Sequence, residues 1–198
     1  LIGLASIATS YGVSAAAAQA AAKGLENEFL DVSSAAMALK NLLASGMGFD
    51  KAQQVIKGMT EQAIFNKQAH YSVAEAVVAA TEGIRNENSI LSDATGTTRN
   101  LAKMYEEYAK QIGVAAMELT KAQKAEAAYI GFMEEAKRSA GDYQKALGAA
   151  QGQQASFGKT LLDVRRVIGD LLLPVYGALL HAMTPYLQQI KLWVMAHR

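Results

Sequence analysis

The chain has 198 residues, 51% of them hydrophobic, with 19 basic and 18 acidic side chains for a formal net charge of +1. That length suits one or two domains with a substantial core. A balance so near zero, without a basic stripe, excludes electrostatic steering towards nucleic acid as a main role. With no cysteine there is no disulfide or thiolate–metal chemistry, and two prolines with few β-branched runs argue against a sheet.

In chain order, residues 1–10 read as the end of one helix, closed near Tyr11-Gly12. Ser14 is placed to cap an alanine-rich helix that Gly24 ends. Phe29, Val32, Ala36, Leu39 and Leu43 step by three and four, and this helix stops at Ser45-Gly46-Met47-Gly48. Asp50 opens the next helix, with Ala52, Ile56, Met59 and Ala63 turned inward. Ser72 and Glu75 frame a capping box, and Val73, Val77, Ala80 and Ile84 share one side of the helix behind it. Residues 1–86 are thus expected to be a set of short, alanine-rich helices, each of two to four turns and too short to be stable alone.

Residues 87–98 lose the helical period and read as a linker loop, with Ile90 and Leu91 tucked inward. Leu101, Met104, Tyr105, Tyr108 and Ile112 mark a helix that stops at Gly113. Thr120 and Gln123 frame a second capping box, after which Ala125, Tyr129, Phe132, Ala136, Ala140, Tyr143 and Leu147 continue one face, weakened at Gly131 and Gly141. Residues 99–147 are therefore expected to be a helical pair, and the glycine- and glutamine-rich residues 148–158 a hinge.

Residues 159–198 carry the strongest periodic signal. Leu161, Val164, Ile168, Leu171, Val175, Leu179, Met183, Leu187, Ile190 and Val194 form one apolar stripe. It predicts a long apolar helix notched by Pro174 and Pro185, whose eleven-residue spacing sets both on nearly the same face. The twenty residues from Leu171 to Ile190 carry no formal charge. As a helix they would span about 30 Å, near the thickness of a bilayer core. Arg165, Arg166 and Lys191 flank the run and Trp193 sits at an interfacial position, whereas the two prolines, His181, Gln188 and Gln189 count against insertion. The stripe is read as a surface for packing against other helices or lipid. The fold class is all-α without a sheet, an array of short helices followed by longer ones.

The candidate chemistry is thin. Phe157-Gly158-Lys159-Thr160 ends like a phosphate-binding loop, but Gly152 leaves five intervening residues where four are needed, and no buried strand precedes it. His70, His181 and His197 lack a second ligand at helical spacing, so no metal is expected. His181 could act as a pH-sensitive defect in the apolar helix. Adjacent residues on a helix diverge by about 100°. Glu106-Glu107 and Glu134-Glu135 therefore form no catalytic dyad, and Glu106 with Lys110 and Glu134 with Arg138 read as solvated i,i+4 pairs. Gly148 and Gly152 match the small-residue spacing of membrane helix dimers, but in a polar stretch. No cofactor, metal or catalytic residue is expected, and the protein is read as a non-enzyme. The uncharged opening from Leu1 to Ala22 lacks the positive start of a signal peptide. Leu1 at the start and an uncapped His197-Arg198 at the end read as an internal piece of a longer chain.

Five segments, in this order, carry a resemblance. They are Tyr108-Ala109-Lys110-Gln111-Ile112-Gly113; Leu119-Thr120-Lys121-Ala122-Gln123-Lys124-Ala125; Phe132-Met133-Glu134-Glu135-Ala136; Gly141-Asp142-Tyr143; and Leu161 through Gly169 leading into Leu171-Leu172-Leu173-Pro174. Together the chain resembles the tail tape measure proteins of tailed bacteriophages and prophages, over about residues 30–198. The resemblance implies a mostly helical structural protein, present as several copies of itself in the tail tube lumen or tail tip. It would be assembled in the host cytoplasm against tube and tip or baseplate proteins, and would set tail length before release during genome ejection. It implies contact with the host membrane as an alternative role, aiding DNA passage across the envelope, and no catalytic residues. The chain lacks the extended heptad rod of such proteins, so a terminal or tip-proximal section is implied. Its short helices are then expected to draw stability from oligomeric or tail-tube contacts.

Overall fold

The computed structural model describes residues 2–149, 159–160, 162–169, 183–185, 189 and 195. The chain divides into two units, Leu1–Ser156 and Phe157–Arg198.

In the first unit every element longer than a bridge is helical among the described residues, and the β pairing seen there is an isolated bridge between Asn27 and Leu30. Helix α1 (Ile2–Ser10) turns at Gly12 into α2 (Ala15–Gly24), whose Ser14 cap accepts from the Ala17 amide at 3.1 Å. Helix α3 (Val32–Ala44) starts at Asp31, which accepts from the Ser33 and Ser34 amides, and ends where Gly46 adopts φ +93°. Helix α4 (Phe49–Asn66) begins after Gly48, which supplies no side-chain cap. Asp50, read as its opening, lies in the first turn, where a carboxylate favours the exposed amides. Helix α5 (Val73–Arg85) opens with the Ser72–Glu75 capping box.

The expected loop of residues 87–98 is more ordered than its composition suggests. It holds the short helix α6 (Ser89–Ser92), capped by Asn88, and a 3-10 turn from Asp93 to Thr95. Ile90 and Leu91 are not its anchors: Ile90 is exposed and Leu91 half-buried, while Ser92, Ala94, Thr95 and Thr97 are buried. The small polar residues are inside because α6 and its turn lie close on α5. A β-carbon on Gly83 of α5 would strike the Ser92 and Leu91 backbone.

Helix α7 (Leu101–Ile112) stops at Gly113, and α8 (Lys121–Ala136) opens with the expected Thr120–Gln123 box. The apolar face continuing from Ala125 to Leu147 does not belong to one helix. A 3-10 turn from Lys137 to Ser139 and Gly141 at φ +88° break it, and α9 (Asp142–Leu147) follows as a separate short helix. Gly141, noted only as a weak point, is the break itself.

The helices of this unit share one interior. Helices α3, α4 and α5 lie at its centre, with the α1–α2 hairpin against α3 and α8 against α4, and α7 packed on α8. Leu39, Leu42, Leu43, Val55, Ile56, Met59, Val77, Leu101 and Phe132 are fully enclosed. The alanines have a structural role here: Ala35, Ala38, Ala76 and Ala80 are completely buried. With no bulk at these positions, α3 and α5 can approach closely, a packing that large side chains would hold apart. Helices too short to persist alone thus find their partners within the same chain.

In the second unit, residues 159–160, 162–169, 183–185, 189 and 195 are helical. The continuous helix expected over 159–198 falls for the most part outside the described residues, as does most of the Leu171–Ile190 run. Among the described residues no helix is long and apolar enough to cross a membrane.

Candidate functional site

Of the apolar stripe, Val164, Ile168 and Met183 are described, and all three are exposed. Leu161, Leu171, Val175, Leu179, Leu187, Ile190 and Val194 lie outside the described residues, as do His181, His197, Gly152 and the Phe157-Gly158 pair. Lys159 and Thr160 are helical, and His70 is exposed beside Tyr71. Among the described residues no group of histidines and carboxylates is arranged to hold a metal.

The most concentrated polar arrangement was not anticipated as a unit. The Glu135 side chain, on α8, is 1% exposed. It accepts from the Thr98 amide at 3.1 Å, from the Thr98 hydroxyl at 2.9 and 3.1 Å, and from Arg99 Nε at 3.2 Å, with Arg138 at 3.4 Å. Arg99 extends its remaining nitrogens to Glu107 at 2.8 Å and Glu134 at 2.6 Å. One guanidinium therefore joins three carboxylates from two helices. Burial pushes the Glu135 carboxyl up, but the Thr98 hydrogen bonds and the Arg138 and Arg99 charges outweigh it and hold the group below the usual range. The Arg99 guanidinium is raised, chiefly by its bond to Glu134.

This corrects the reading of both acidic pairs. Glu134 pairs with Arg99 and not with Arg138, and Glu135 is buried instead of solvated. Glu106 and Lys110 form no ion pair. The long-range salt bridge wins because Arg99, on the connection into α7, brings five donors in a planar fork to a partly dehydrated cluster. A sequence signal for Glu135 existed: it falls three residues after Phe132 and seven after Ala128, on the buried face of α8. A charge on an apolar stripe demands a partner, but spacing could not show that the partner lay 36 residues away.

A second polar contact ties α3 to α5. Asn41 donates to Thr81 Oγ1 at 3.3 Å and accepts from Arg85 Nη1 at 2.9 Å, and Arg85 also meets Glu82. The groups of both clusters are engaged with one another; Arg99, Glu107 and Glu134 also line a shallow hollow, and Arg85 lines a groove. Concavities among the described residues include a groove of about 220 Å³ beside Tyr105, one of about 250 Å³ beside Tyr143, and a shallow hollow of about 20 Å³ next to Arg99. Tyr143 donates to Glu28 and meets Phe29 edge-on at 5.8 Å. Burial and this carboxylate push its phenol up to about 12.

Comparison with family models, with curated proteins and with solved structures finds no match for this chain.

Proposed function

We propose that the chain is a section of a tail tape measure protein, acting in tail assembly inside the tail tube or at its tip. The observation that carries this reading is the ordered set of sequence segments from Tyr108 to Pro174. The helical architecture is compatible with it. Four of the segments fall at helix boundaries: Tyr108–Gly113 is the end of α7, Leu119–Ala125 the capped start of α8, Phe132–Ala136 its end, and Gly141–Tyr143 the start of α9. The polar clusters serve as ties between helices, which suits a structural part.

The shared interior of residues 2–149 removes one argument for the reading, namely that the short helices must borrow neighbouring subunits to fold. On this reading the chain is a terminal or tip-proximal section instead of the slim rod that would set length. Partners on this reading are other copies of the chain and the tube and tip proteins. The test is antibody detection in purified tailed particles from the bacterial culture that carries the gene. Presence in intact particles and depletion after ejection are expected; absence from particles that contain tube protein overturns the reading.

A second reading rests on the uncharged run from Leu171 to Ile190: a membrane-inserting helical protein that aids DNA passage. Leakage of dye from anionic liposomes on adding the full chain would favour it, and intact vesicles at pH 5 and pH 7 would retire it.

A further inference from the structure

The groove of about 220 Å³ lies where the ends of α3 and α5 meet α7 and the start of α8. Its lining is rich in hydrogen-bond donors. Arg85, Lys121 and Lys124 bring three positive charges against the single carboxylate of Glu87. Part of this charge is already used. Lys124 pairs with Glu87 at 2.7 Å and lies over the Tyr105 ring at 5.8 Å. Arg85 is held by Asn41, Asn86 and Glu82, and the Ser45 hydroxyl donates to the Leu42 carbonyl.

Two donors are left over. The Lys121 ammonium is exposed and has no ion-pair partner among the described residues. The Tyr105 hydroxyl has no hydrogen-bond partner among them, although its side chain is half-buried. Burial and the Glu87 charge keep that phenol protonated, and hence a donor, at any ordinary pH. Glu87 holds a left-handed backbone, φ 54°, the one positive-φ residue besides glycine among those described. Its carboxylate engages Lys124, leaving Lys121 and Tyr105 to a visitor.

We propose that this groove binds a small dianion, a phosphate or dicarboxylate group, between Lys121, Tyr105 and the Lys124–Arg85 edge. Such a ligand supplies the acceptors that the lining lacks, and charged acceptors make the strongest hydrogen bonds with ammonium, guanidinium and phenol donors. The volume admits a group of that size. The alternative role for these cations, offsetting the carbonyl ends of α3 and α5, accounts for Arg85 in the last turn of α5. It assigns no role to Tyr105, whose side chain lines the groove.

The test is a titration of the full chain, 15N-labelled, with inorganic phosphate and separately with succinate, at ionic strength held constant with sodium chloride. Expected are saturable amide shifts confined to residues 45–47, 85–87, 104–106 and 121–125. Phosphate alone acting would assign a phosphoryl ligand, and both acting a general dianion site. Lys121→Gln and Tyr105→Phe should each weaken the response about fivefold or more, with thermal unfolding unchanged to show that the fold is intact. Shifts that are non-saturable or spread over the surface, or unaltered affinity in both variants, would overturn the proposal.

Discussion

At the scale of single residues, the buried carboxylate of Glu135 is the most consequential side chain. Replacing it with alanine strands the Thr98 amide and one face of Arg99, so Glu135→Ala should cost about 2–3 kcal/mol in urea unfolding at pH 7. The pH dependence follows from the sign of its shift. Its carboxyl is lowered from the ordinary 4.5 in the folded chain. The folded state therefore gains stability from the ionised form above that value and loses it as pH falls through the lower, folded value. Unfolding curves at pH 7, 5 and 3 should show the gap between the native protein and Glu135→Gln shrinking towards acid. A constant gap would mean that the carboxylate charge is not what holds Thr98 and Arg99. Gly96 is the second sensitive position. It adopts φ +86°, and a β-carbon there would drive into the Asn66 carbonyl at the end of α4. Gly96→Ala combines backbone strain with a backbone collision and should destabilise by about 2 kcal/mol or more in the same assay. A change below half that would show that the α6–α7 connection can move off α4.

At the scale of elements, α9 is a test of how packing substitutes for length. It has six residues, too few to persist in isolation, and its N-cap glycine offers no side chain to the exposed amides. What holds it is Tyr143 against Phe29 and Glu28, Ala146 in the core, and Glu61 accepting from the Gly141 amide at 3.1 Å. Tyr143→Ala removes the first two together. Hydrogen exchange should then become fast at residues 142–147 while α3 and α5 keep their protection; retained protection of α9 would show that Ala146 and Glu61 suffice. This also explains what could be read from the chain beforehand. Helices with a local signature were legible: the Ser72–Glu75 and Thr120–Gln123 boxes, the Ser14 cap, and inward sets such as Ala52, Ile56, Met59 and Ala63, all buried. The break at Lys137–Gly141 and the ordered α6 were not, because both are decided by what they pack on. Likewise Glu135 was visible as a charge on an apolar face, but Thr98 and Arg99 meet it only through the fold.

At the scale of the whole molecule, the question is where the stability of the first unit resides. Its enclosed cluster runs from Leu4 to Ala146 and draws on every α-helix of the unit except α6. Alanine buries little area per residue, but it lets helices approach until the larger side chains around it, such as Leu39, Leu42 and Val77, are sealed from water. An interior of that kind is complete within one copy of the unit, and its unfolding should be cooperative and independent of concentration. A chain cut after Ser156 is expected to keep its unfolding midpoint within about 3 °C of full length, a change of under roughly 1 kcal/mol for a domain of this size. Measurement at 2 and 200 μM separates the possibilities. A midpoint that rises with concentration would mean that association contributes to stability, restoring the dependence on neighbours that short helices suggest. A midpoint that stays fixed assigns the stability to α1–α9 themselves.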